Sequence, residues 1–124
     1  MKGMNRDKLT KQCDEIWYQI VMEGAGYICE VCGQPANQAH HFFPKSMSAI
    51  LRHETKNGIP ICMGCHFYHH HKGDPKIHQT IIEKRGKEWY NELKEKSKQL
   101  LHSYRTKEYY QNVYEKLLKE QKSL

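Results

Sequence analysis

Two Cys-x2-Cys pairs constrain the fold of this chain more than any other feature of the sequence. The first pair is Cys29 and Cys32, and the second is Cys62 and Cys65. Four thiolates complete the tetrahedral shell of a zinc ion and leave no open position for a substrate. The two pairs therefore predict a structural zinc site that joins the two ends of the segment between them.

Disulfides or free thiols are the main alternative for these four cysteines. The N-terminal segment MKGMNRDKLTKQ has no apolar signal region, which favours a reducing cytoplasm where disulfides are rare. A mixed site of the first pair with His40 and His41 is a further alternative, but it leaves the second pair without a role. The fifth cysteine, Cys13, falls on an apolar helix face and is expected to be a buried free thiol.

The chain has 124 residues, of which 38% are hydrophobic. This length fits one small domain, 1–124, whose apolar core alone would be thin, so a bound metal is expected to contribute to folding. We predict an α+β, mostly helical fold. A small ββα core with a structural zinc knuckle (27–73) is flanked by an N-terminal helix (1–26) and C-terminal helices (74–124).

Apolar periodicity and breaker residues place the predicted elements. Apolar residues at helical spacing predict a first helix over 5–23, which the Gly24-Ala25-Gly26 stretch ends. Short strands are expected over 38–43 and 59–61, and Asn57-Gly58 indicates a tight turn. The remaining predicted helices are 62–71, stopped by Gly73; 74–85, capped by Asp74; 87–103; and a last helix capped by Thr106.

The histidines form a second set of candidate metal ligands. His66 and His70 are four residues apart, so they share one face of the predicted helix. His40, from the first strand, would complete a three-histidine site with open positions for water and a phosphate oxygen. His41 is then left beside the metal as a neutral imidazole suited to accept a proton from water. His69 is the main rival of His70 as the last ligand.

Adjacent residues of a regular strand point to opposite faces. His40 and His41 can therefore face one site only if the strand ends or distorts there, which the following Phe42-Phe43-Pro44 favours. Surface or packing roles are expected for the other histidines, which are His53, His69, His71, His78 and His102.

The set His40-His41, Asn57, His66 and His70 resembles the HNH endonucleases, also called ββα-metal nucleases, with a spacing similar to that of colicin-type DNases. The bracketing cysteine pairs are similar to the zinc-stabilised branch of that family, found in phages and restriction systems. The resemblance covers about residues 27–73.

The resemblance implies a role for each matching residue. His40, His66 and His70 would bind a catalytic divalent ion, which is Mg, Mn, Ni, Co or Zn. His41 would be the general base, and Asn57 would hold the loop and help to orient that base. The implied reaction is hydrolysis of DNA phosphodiester bonds, leaving 5′-phosphate and 3′-hydroxyl ends.

The charge and composition bear on partners and location. A net charge of +6 favours a polyanionic partner, and Lys45, Arg52 and Lys72 are the candidate contacts to the DNA phosphate backbone. No run is long enough to span a membrane. The expected location is the cytoplasm of a bacterial host cell. The resemblance to the phage-related branch is also consistent with a phage-encoded protein.

Two rival functions stay open. One is a non-catalytic zinc module that binds nucleic acid, which explains the cysteines and the charge but not the histidine–asparagine set. The other is an interaction protein that forms a homodimer through the C-terminal helices, which contain Tyr104, Tyr109, Tyr110 and Tyr114.

Overall fold

The computed structural model describes residues 4–72, 75–99 and 105–124. Over these ranges the chain is mostly helical with one small antiparallel sheet, which confirms the predicted α+β class. Two single-turn 3-10 helices, Ile50–His53 and Thr55–Asn57, lie between the strands. The helices and strands are α1 (Arg6–Gly24), β1 (Gln38–His41), β2 (Gly58–Ile61), α2 (Met63–Lys72), α3 (Lys76–Arg85), α4 (Lys87–Ser97) and α5 (Lys107–Lys122).

Helix α1 is the central support of the fold. It begins where the Asn5 side chain accepts a hydrogen bond from the Lys8 N–H, which satisfies one of the unpaired amides of the first turn. Its apolar face is buried, as the spacing predicts, and includes Cys13 and Trp17. Helix α5 begins at the Thr106 cap and packs along α1, where the Cys13 thiol donates to the Tyr110 carbonyl at 3.6 Å.

The two strands form a hairpin that lies against α1. In its register His40 pairs with Ile59 and His41 pairs with Gly58. All four residues of β2 are buried, because α1 covers the hairpin. The hairpin followed directly by α2 gives the predicted ββα order. The first cysteine pair precedes β1 in the chain, and the second pair follows β2.

Helices α3 and α4 close a second apolar cluster, which contains Phe42, Phe43, Leu51, Ile59, Ile81 and Leu93. The Arg85 guanidinium ties α3 to the core: it forms two 2.6 Å bonds with the Glu30 carboxylate and donates to the Gly58 carbonyl at 3.0 Å. The bidentate pair links α3 to the cysteine knuckle, and the bond to Gly58 links α3 to β2.

The C-terminal helices differ in part from the prediction. Helix α4 ends at Ser97, and the Lys98 N–H bonds back to the Glu95 carbonyl, so the prediction that it continues through residues 98 and 99 is wrong. The predicted stop at Gly73 and cap at Asp74 lie outside the described residues. Within the described ranges, no helix combines the length and the apolarity needed to cross a membrane.

Candidate metal sites and catalytic residues

The four cysteines of the two pairs meet in one cluster. Their sulfur atoms all lie within 4.8 Å of one another, and the Cys32 and Cys62 sulfurs are 3.6 Å apart. Zinc–sulfur bonds of about 2.3 Å place the sulfurs of a tetrahedral site about 3.8 Å apart, so the cluster has the spacing that zinc needs. The four cysteines could therefore hold a structural metal such as zinc, and none of them forms a disulfide.

The local electrostatics also suit a cation. Burial raises the pKa of Cys29, but hydrogen bonds from the backbone N–H groups of Cys32, Cys62 and Val31 outweigh burial and lower it to about 7. Burial and then hydrogen bonds involving the sulfurs of Cys62 and Cys32 raise the pKa of Cys65 well above its usual range. Four thiolates cannot share this space without a counter-charge, and a divalent metal supplies one.

The knuckle explains how the first cysteine pair reaches the second. Gly33 follows Cys32 with φ +79°, a conformation that favours glycine, and the Gly33 N–H donates to the Cys29 carbonyl. The second pair brackets the start of α2, where the Cys65 N–H points at the Cys62 sulfur at 3.4 Å. A tight turn and a helix start thus aim two sulfurs each at one point.

A second candidate metal site is formed by imidazoles on the other end of the hairpin and on α2 and α3. Ligand nitrogens of His40, His69 and His78 all lie within 4.8 Å of one another, and the Nε2 atoms of His40 and His78 are 3.1 Å apart. Zinc–nitrogen bonds of 2.0–2.1 Å place tetrahedral ligands about 3.3 Å apart, so these three rings could also hold a metal. His40 is buried, and the other two are partly buried.

The predicted ligands are placed around this cluster as follows. His40 belongs to it, and the His66 ring centroid lies 5.3 Å from that of His40. His70 lies on α2, but its side chain is outside the described residues, as is that of His71. His69 and His78, for which surface or packing roles were expected, are instead brought to His40, and the His69 and His78 rings stack at 4.2 Å.

His41 has surroundings different from those of His40. Its ring stacks on Trp17 with centroids 4.1 Å apart and planes 8° apart, and its Nε2 lies 2.9 Å from the Arg52 carbonyl oxygen. Because a carbonyl only accepts, Nε2 carries the proton and Nδ1 carries the lone pair. Burial lowers the pKa of His41 by more than the carbonyl raises it, so the ring is neutral at neutral pH.

Asn57 anchors the connection between the two strands. Its side chain is fully buried and makes three hydrogen bonds: Oδ1 accepts from the Phe43 N–H at 2.8 Å, and Nδ2 donates to the carbonyls of Phe43 at 3.0 Å and Leu51 at 3.1 Å. Leu51 directly precedes Arg52, whose carbonyl accepts the hydrogen bond from His41 Nε2–H. Asn57 therefore holds the segment that orients the His41 ring.

Arg52 is held by an acidic residue of α1. Its guanidinium makes a bidentate pair with Asp14 at 3.0 and 2.8 Å, and the same carboxylate bonds His53 Nε2 at 2.6 Å. Burial would raise the pKa of Asp14, but the hydrogen bonds from His53 and Arg52 lower it to about 2. Asp14 therefore fixes the side chain of the residue whose backbone orients His41.

The three candidate DNA contacts have different placements. Lys45 is exposed in the loop after β1, close enough to His41 for its charge to help lower the pKa of that ring. The Arg52 side chain is partly buried in its pair with Asp14. Lys72 ends α2, and its side chain is outside the described residues.

Cys13 and the C-terminal tyrosines are packing residues in the described structure. Cys13 is fully buried, and burial, followed by the nearby charge of Asp14, raises its pKa to about 11, so it is a poor nucleophile. Tyr110 is buried between α5 and α1, and Tyr109 contacts its ring edge to face at 5.0 Å. Tyr104 lies outside the described residues.

Two residues at these sites were missed by the sequence reasoning. His78 is on α3, outside the stretch that resembles a known motif, and Asp14 is a single acid on α1. A signal for His78 existed: two helices joined by a short connection bring residues near the junction together, and His69 and His78 are each close to it. No comparable signal marked Asp14.

Comparison of the chain with protein-family models, with curated proteins and with solved structures finds no match.

Proposed function

We propose that this chain is a metal-dependent endonuclease that hydrolyses DNA phosphodiester bonds, with His41 as general base. The observation that carries the proposal is the contrast between two neighbouring residues. His40 joins an imidazole cluster, whereas His41 is not part of that cluster, stacks on Trp17 and donates its Nε2–H to the Arg52 carbonyl, which leaves the Nδ1 lone pair available to accept a proton. The contrast agrees with the roles implied by the resemblance to HNH endonucleases.

The chemistry of His41 follows from its tautomer. Because Nε2–H donates a hydrogen bond to a carbonyl, Nδ1 can accept a proton from a water molecule as the water oxygen attacks phosphorus. The P–O3′ bond then breaks, and the 3′-oxygen leaves as a hydroxyl after protonation by solvent. The imidazolium formed on His41 is stabilised by the carbonyl that already holds Nε2–H.

The imidazole cluster would hold the catalytic ion. His40 is common to the ligand set implied by the resemblance, with His66 and His70, and to the set that the geometry brings together, with His69 and His78. A divalent ion held by these imidazoles would supply positive charge that stabilises the transition state of phosphodiester hydrolysis. All-nitrogen ligation favours Mn, Co, Ni or Zn over Mg. The cysteine site would hold zinc with a structural role only.

Paired variants of His40 and His41 test this proposal. His41→Ala is expected to keep both metals, the fold and DNA affinity, and to lower single-turnover cleavage by roughly 10²–10⁴-fold, the usual contribution of a positioned base. His40→Ala is expected to weaken binding of the second metal, with partial rescue of cleavage at high metal concentration. Each variant serves as the control for the other, because misfolding would affect both alike.

The measurements are metal content, DNA affinity and cleavage of plasmid and linear DNA with each candidate metal. If His41→Ala loses the second metal while His40→Ala keeps it, the two roles are reversed. If both variants cut at the parent rate, the mechanism is refuted.

A non-catalytic zinc module that binds nucleic acid is the second candidate, and the four-cysteine cluster favours it equally. The two functions differ in the imidazoles. A nuclease binds a second metal there and cuts DNA, whereas a zinc module binds about one metal per chain and leaves DNA intact.

A further inference from the structure

A cationic cleft lies where the first turns of α1 meet the start of α5. Its volume is about 320 Å³, and four basic side chains line it, from Arg6, Lys11, Arg52 and Arg105. Among the described residues on its wall, Asp7 is the only carboxylate. Buried Tyr110 forms part of its lining.

Part of this positive charge is not neutralised by the protein. Arg52 is paired with Asp14, and Arg6 lies 3.6 Å from Asp7 in a pair so exposed that water screens it. Lys11 and Arg105 are exposed, and neither has a carboxylate partner within the described part of the chain. The cleft therefore keeps a net positive charge even when Asp14 is counted with Asp7.

The shape of the cleft is held by contacts across it. The Arg6 guanidinium donates to the Arg105 carbonyl at 3.3 Å, which joins α1 to the residue just before the α5 cap. Arg52 reaches the cleft from the loop between the strands and is fixed there by its bidentate bond to Asp14. Three separate parts of the chain thus aim cations into one space.

Arg52 also connects the cleft to His41. Its side chain lines the cleft, while its backbone carbonyl accepts a hydrogen bond from His41 Nε2–H. Arg52 would therefore contact an anion in the cleft with its side chain and orient the proposed base, His41, with its backbone carbonyl.

We propose that this cleft binds a backbone phosphate of DNA adjacent to the phosphodiester that is cut. Guanidinium and ammonium groups match phosphate oxygens by charge and by hydrogen-bond geometry. The inference rests on the proposed function for the position of the phosphate relative to the scissile bond. The binding of a DNA phosphate by the cleft can be tested without cleavage.

The test measures binding of a short duplex to the full zinc-loaded chain in a His41→Ala background, which slows cutting during the measurement. The cleft variant is Lys11→Ala with Arg105→Ala, two exposed residues whose loss should not disturb folding. The matched control is Lys119→Ala with Lys122→Ala, which removes the same charge from exposed positions on α5. These positions lie about 18 Å or more along α5 from its start.

The cleft variant is expected to lose on the order of tenfold in affinity near 0.1 M salt. Its slope of log affinity against log salt should become shallower by about 1–2, since each lost phosphate contact removes roughly one released counterion. The control variant should change the slope by less than half as much. Equal changes in the two variants would show only a general charge effect and overturn the proposal.

A parallel measurement uses vesicles containing anionic phospholipid. If the cleft variant loses vesicle binding while its binding to DNA is unchanged, the cleft is a lipid site and the proposal is wrong. A separate outcome is that the slopes change as expected but the protein with His41 intact fails to cut DNA with any of the metals tested. The cleft is then a DNA site, and the proposed nuclease reaction is contradicted.

Discussion

Replacing Asn57 with Ala should destabilise the protein more than its small size suggests. The substitution removes all three hydrogen bonds of a fully buried side chain. It leaves the Phe43 N–H and the carbonyls of Phe43 and Leu51 without this partner. A buried hydrogen bond contributes about 0.5–1.5 kcal/mol net, and an unsatisfied partner costs about 1–3 kcal/mol. Three such groups, partly relieved by water entering the space, give an expected loss of roughly 2–5 kcal/mol in the free energy of unfolding.

Asn57→Asp separates the acceptor from the donor contributions. The carboxylate can still accept from the Phe43 N–H, but its second oxygen would face two carbonyl oxygens where Nδ2 now donates. We expect Asn57→Asp to be at least as destabilising as Asn57→Ala at neutral pH. Asn112→Ala is the matched control, since Asn112 is exposed on α5 and its loss should change stability by less than about 0.5 kcal/mol.

Urea unfolding followed by circular dichroism, at one fixed zinc concentration, measures these differences, because bound zinc shifts the apparent stability. A loss below about 1 kcal/mol for Asn57→Ala, with an unchanged urea slope, would refute the anchoring role. Cleavage adds a second reading if the proposed function holds. The loop that carries the Arg52 carbonyl should loosen, so cleavage should fall while metal content is kept.

Three further predictions test other parts of the structure. Cys62→Ser should lose the roughly one tightly bound zinc per chain and cooperative unfolding, measured by metal analysis and thermal melts, whereas Cys13→Ser should keep its zinc; a well-folded, metal-free Cys62→Ser protein would contradict the zinc assignment. Gly58→Ala should lower stability by about 1–3 kcal/mol or more, because the new Cβ would lie 2.3 Å from Val21 Cγ2 and 2.9 Å from Trp17 Cζ2. The control is Gly64→Ala, whose Cβ would lie 4.0 Å from the Cys62 sulfur and should not destabilise the protein. Equal melting temperatures for the two variants would disprove the close approach at Gly58. Asp14→Ala should cost about 2–3 kcal/mol by leaving buried His53 and the Arg52 guanidinium without their shared acceptor, and a urea midpoint equal to that of the parent protein would show that this ion pair does not support the loop.

Local chemistry made several features predictable from the sequence. The predicted cap Thr106 bonds the amide three residues ahead, so the signal and its partner lie in one short window. The cysteine cluster was also predicted, because each Cys-x2-Cys pair places two sulfurs close together and the two pairs complete one tetrahedral shell. Gly33 comes directly after the first cysteine pair and has the positive φ that the turn of the knuckle needs.

Features that depend on a distant partner were not predictable in the same way. The sequence offers Arg52 as one of many exposed cations, and only the tertiary fold brings it to Asp14, 38 residues away. The Asn57-Gly58 pair was predicted to form a tight turn, but the structure requires this glycine for a different reason. Gly58 is extended, with φ −91°, and a glycine is needed there because α1 approaches the β2 backbone too closely for a Cβ.

The two candidate metal sites are coupled through α2, and the coupling has a direction. Cys62 and Cys65 fix the start of this helix, and His66 and His69 follow Cys65 within about one turn, so a metal held by the sulfurs also sets where the imidazoles point. His40 comes from a strand whose position depends on α1 and β2 instead. Losing the sulfur-bound metal should therefore disperse the imidazole cluster, whereas losing a metal from the imidazoles leaves the sulfurs in place. A structural zinc in this chain would thus act on the second metal site by positioning its candidate ligands.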